Sequence, residues 1–79
     1  MADERARLAQ ADGHIAGAKT QIARQEQLIA RLTADGHQVR DAESFLSVLM
    51  DTLKGFETHR RAILHRLGEY AALRLWPRE

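Results

Sequence analysis

The feature that most constrains this chain is a heptad. Leu8, Ile15, Ile22 and Ile29 recur every seven residues, and Ala11, Ala18, Gln25 and Leu32 follow three residues after each of them. Alternating steps of three and four residues lay one narrow apolar stripe along a helix, the seam of a coiled coil. The stripe stops at Thr33-Ala34-Asp35-Gly36, where glycine can take the left-handed conformation that closes a helix. The same spacing then resumes through Val39, Ala42, Leu46, Leu49 and Leu53, and on through Phe56, Arg60, Ile63, Leu67 and Tyr70. Pro77 cannot continue a helix and biases Trp76 towards extended backbone, so the second helix is predicted to end near Leu75.

The pattern predicts a single all-α domain, an antiparallel two-helix hairpin of coiled-coil type. Helix one is expected over about 3–34, a turn over 35–38, helix two over about 39–75, and a short tail beyond. Folding the stripes together about the turn sets residues whose numbers sum to about 74 opposite each other. Ala18 then faces Phe56, Ala11 faces Ile63 and Leu32 faces Ala42, small against large as interdigitated cores require. The predicted seam comprises Leu8, Ile15, Ala18, Ile22, Ile29 and Leu32 on helix one. On helix two it comprises Ala42, Leu46, Leu49, Leu53, Phe56, Ile63 and Leu67. Arg60 interrupts it, but an arginine can bury its stem while its guanidinium reaches Asp12 or solvent. Gly13 is expected to loosen the first turns, and the rod should be on the order of 50 Å long.

A chain of 79 residues without cysteine has neither a disulfide nor a thiolate metal site to support a small core, which leaves self-association. Helix two carries the means. Phe45, Val48, Met50 and Leu64 lie outside its seam and widen the apolar stripe towards that of a multi-helix core. They are predicted to form a partner face through which two hairpins pair as a homodimeric four-helix bundle of closed symmetry.

No chemistry-bearing constellation emerges. His14, His37, His59 and His65 lack the spacing that puts two ligands on one helical face, although the pairing rule brings His14 near His59; His37 belongs to the turn. Ala-Asp-Gly-His occurs at 11–14 and again at 34–37, once inside the heptad and once at its end, which fits no repeat architecture. Ser44 and Ser47 lie in early turns of helix two without a base; Asp41 suits its N-terminal cap or first turn, and Glu43 its dipole. No catalytic residue, metal or cofactor is predicted.

Lys and Arg total 12 against 11 Asp and Glu, giving a formal net charge of +1, far from the basic excess of a dedicated nucleic-acid binder. The distribution is uneven: residues 1–53 hold six basic and eight acidic side chains, residues 54–79 six basic and three acidic. Arg60, Arg61, Arg66 and Arg74 therefore define a possible patch for an anionic ligand. Glu57 lies three and four residues before Arg60 and Arg61, so intrahelical pairing accounts for part of that charge. Leu73, Leu75 and Trp76 beside Arg74 and Arg78 suggest contact with a membrane surface, but Trp76 is expected to pack against the start of helix one.

Two stretches, His14-Ile15-Ala16 running to Gln25-Glu26-Gln27-Leu28-Ile29-Ala30-Arg31-Leu32 and Gly36-His37 running to Leu53 and Arg60-Arg61-Ala62-Ile63-Leu64, carry a resemblance. They resemble a group of short helical-hairpin proteins common in alphaproteobacteria. The resemblance implies a bacterial, cytoplasmic protein and brings no activity, cofactor or functional residue with it. The expected function is a non-enzymatic interaction or structural module that self-associates through its apolar faces. Weak binding of nucleic acid or an anionic surface through the basic C-terminal half is the alternative.

Overall fold

The computed structural model describes the backbone of residues 3–75 and the side chains of residues 3–69. It is a hairpin of two α-helices, α1 over Glu4–Ala34 and α2 over Arg40–Leu75, packed against each other in antiparallel fashion, with no strand among the described residues. Pro77, Trp76 and the tail fall outside the described residues, as do the side chains of Tyr70, Leu73, Arg74 and Leu75.

Both ends of α1 are built from local hydrogen bonds. Asp3 stands at the N-cap in extended conformation, and its carboxylate accepts the Arg5 amide at 3.0 Å, satisfying one of the donors a helix start leaves open. At the other end Gly36 has φ +76°, the only positive φ among the described residues. The His37 amide donates to the Leu32 carbonyl at 2.8 Å and the Gly36 amide to the Thr33 carbonyl at 3.1 Å. This crossed pair is a Schellman cap, available because glycine enters the left-handed region without a Cβ penalty. At the start of α2 the Glu43 amide donates to the Val39 carbonyl at 2.8 Å, so Val39 is the N-cap; of the two roles open to Asp41 it takes that of a first-turn acid, with Glu43 beside it where the helix dipole favours both.

Gly13 does not loosen the first turns. α1 is continuous through it because the turns before it are held at both ends, by the Asp3 cap and by bonds to α2 from Glu4 and Asp12. The helix register also departs from the sequence rule. Phe56 packs against His14, one helical turn beyond Ala18, their ring centroids 5.1 Å apart and tilted by 30°. Glu4 meets Arg66, where the rule sets Leu8. Each partner on α1 lies farther from the turn than expected, by up to about one helical turn. The reason is the connection. Residues 37–39 belong to neither helix, and non-helical chain advances by up to ~3.3 Å per residue against ~1.5 Å for a helix. Those residues therefore carry the start of α2 further down α1 than a uniform count allows.

The slip lengthens the molecule. With Glu4 beside Arg66, the last two turns or so of α2 run past the beginning of α1, and the hairpin measures 70 × 17 × 17 Å rather than the expected ~50 Å length.

Replacing Gly36 by alanine should cost about 1–2 kcal/mol, because the cap needs a left-handed residue at this position whatever the space around it. Urea denaturation followed by circular dichroism reads this loss, and an unchanged midpoint contradicts the role assigned to the cap.

Candidate interaction surface

The interior of the hairpin is thin. Ala11, Ala18, Leu49 and Ile63 are the buried hydrophobic residues among those described, and of these only Ile63 is fully inaccessible. The other predicted seam residues, Leu8, Ile15, Ile22, Ile29 and Leu32 on α1 and Ala42, Leu46, Leu53, Phe56 and Leu67 on α2, are half-buried. Two helices alone cover one stripe of each other and leave its edges open. Ala11 and Ala18 on α1 and Leu49 and Ile63 on α2 are the seam positions that the opposite helix buries.

Gln25 occupies a seam position where the heptad calls for an apolar side chain. Its amide nitrogen donates to the Ala42 carbonyl at 2.9 Å, a part-buried link across the hairpin near the turn. A polar group satisfied in one alignment only opposes slippage of the helices, the role of a single polar residue in a coiled-coil seam. Sequence reasoning placed Gln25 on the stripe without assigning it this bond; the signal was the polar residue itself at that position.

Arg60 interrupts the seam as expected, and its guanidinium reaches Asp12, Nε to Oδ1 at 2.5 Å. Arg66 Nε donates to Glu4 Oε2 at 3.3 Å, a link not anticipated from sequence because it depends on the slipped register. Arg61 donates to the Thr58 hydroxyl at 3.1 Å, and the Arg74 side chain lies outside the described residues. Two of the four arginines of the predicted anionic patch are thus turned inward to carboxylates of α1. Between the helices an open groove is lined by Asp12, Ile15, Lys19, Glu57, Arg60 and Arg61, three cations interleaved with two anions. Such a surface lacks the single-signed field that draws an anionic polymer.

No group of three or more His, Asp or Glu able to hold a metal occurs among the described residues, and His14 is engaged with Phe56. No helix there is long and apolar enough to cross a membrane.

The surface that stands out is apolar. Phe45 is 53% exposed, Val48 57%, Met50 49% and Leu64 38%. These residues do not form one face. Phe45 immediately precedes the seam residue Leu46, with Val48 one turn further along the same side. Met50 and Leu64 immediately follow Leu49 and Ile63, which puts them on the opposite flank of the helix. No single partner helix covers both sets, so α2 offers two flanks beside its seam.

Ile63→Ala should lower stability by about 2–5 kcal/mol, the range for truncating a buried isoleucine, and should abolish cooperative melting in a domain this small. Asp12→Ala should change it by no more than about 1 kcal/mol, because both members of the Asp12–Arg60 pair are substantially exposed. Parallel urea titrations give the ranking, and a reversed order contradicts the seam. No family model, curated protein or solved structure matches this chain.

Proposed function

We propose that this hairpin is a non-enzymatic protein–protein interaction module that self-associates through the apolar surface of α2, two copies making a four-helix bundle. The observation that carries the reading is the exposure of Phe45, Val48, Met50 and Leu64 beside a core in which, among the described residues, one side chain is fully buried. Burying apolar area is the dominant favourable term in folding, worth roughly 25 cal/mol per Å². Here much of that area is left unused by a single hairpin. Pairing of hairpins uses it and needs only the faces already present on α2.

The alternative, an anionic surface bound through Arg60, Arg61, Arg66 and Arg74, is weakened by the carboxylates that already engage Arg60 and Arg66. A cytoplasmic, alphaproteobacterial setting belongs to the same proposal and rests on the sequence resemblance.

Light scattering coupled to gel filtration over a hundredfold range of concentration tests this reading. A species near twice 8.9 kDa is expected throughout the upper part of the range. A cooperatively folded protein that stays strictly monomeric at high micromolar concentration overturns it. Retention on heparin at physiological salt, lost on alanine replacement of the arginines, favours the anionic alternative instead.

A further inference from the structure

The flank of α2 that bears Phe45 is distinguished by the residues on it: apolar or uncharged side chains between one acidic and one basic end. It begins at Asp41 and passes through Phe45 and Val48 to Thr52, in steps of four, three and four residues. After a step of three it continues from Gly55 through His59 and Ala62 to Arg66, again in steps of four, three and four. The spacing reads the same from either end, and all eight positions are exposed.

We infer that this flank is the dimer interface, with a second copy of α2 laid antiparallel across it and the two-fold axis passing between Thr52 and Gly55. This deepens the proposed self-association and rests on it. The match is chemical as well as geometric. In this alignment Asp41 faces Arg66 of the second copy, and the two-fold makes that pair twice. Phe45 falls against Ala62, large against small, and Val48 against His59. Thr52 meets Gly55 at the axis. No Asp, Glu, Lys or Arg interrupts the stripe between its oppositely charged ends, whereas the other flank carries Lys54, Glu57 and Arg61 between Met50 and Leu64.

Two local observations fit the crossing point. Gly55 costs its helix about 1 kcal/mol relative to alanine, yet a Cβ built on it meets nothing within 4 Å in the hairpin. The same holds of Gly13, Gly17 and Gly68, but Gly55 is the glycine that lies on this flank, where absence of a side chain lets a crossing backbone approach. The Thr52 hydroxyl donates to the Val48 carbonyl of its own helix at 2.9 Å, so it enters a contact already satisfied. Arg66 also holds Glu4, and its guanidinium has donors for both carboxylates.

Charge exchange tests the alignment. In an isologous pair, Asp41→Arg sets arginine against arginine twice, and Arg66→Asp sets aspartate against aspartate twice. Each variant alone should dimerise about tenfold or more weakly than the native chain by light scattering and sedimentation. An equimolar mixture restores both ion pairs and should return to near-native affinity as a heterodimer, identified by native mass spectrometry. Gly55→Leu is the second probe: it should keep or raise helicity and melting of the hairpin, since its Cβ enters open space, while abolishing the dimer. If the native chain dimerises but neither single charge variant nor Gly55→Leu weakens it, and mixing yields no preferred heterodimer, this interface is overturned while self-association stands. If the native chain is a folded monomer, the underlying reading falls and the interface with it.

Discussion

Ile63 is the one side chain among the described residues with no surface left to solvent. The ion pairs Asp12–Arg60 and Glu4–Arg66 stand on either side of it along the edge of the seam, and the register they set places it level with Leu8 in the first turns of α1. They are exposed and contribute little energy, but they select one alignment among several that the apolar stripe alone tolerates.

The alignment is the part of the fold that sequence reasoning misjudged. Helices and turn were legible because each rests on a local rule: three- and four-residue spacing for the stripes, and a glycine whose lack of Cβ suits the Schellman cap. Register depends instead on how far residues 37–39 travel outside either helix, a quantity that spacing does not encode. Asp3 was expected inside the helix and stands one residue before it as its cap, and the Gln25–Ala42 bond joins residues set together only by the folded register.

The candidate surface was legible in a different sense. Phe45, Val48, Met50 and Leu64 were recognisable as apolar residues outside the seam, and all four are exposed. Their grouping into one face was too coarse, since counting from the nearest seam residue divides them between two flanks. The basic patch was legible as composition only. Two of its arginines belong to contacts within the hairpin, and no count of charges along a chain discloses which carboxylate each guanidinium finds.

The one fully buried side chain among the described residues sits far from the turn. Ile63 and the first turns of α1 are distant in sequence, so bringing them together closes one of the longest loops in the hairpin. Contacts completed last in folding leave its rate almost untouched and act instead on the rate of unfolding. Truncating Ile63 would then act on the rate of opening more than on that of closing, so a side chain far from the connection bears on how long the hairpin stays shut.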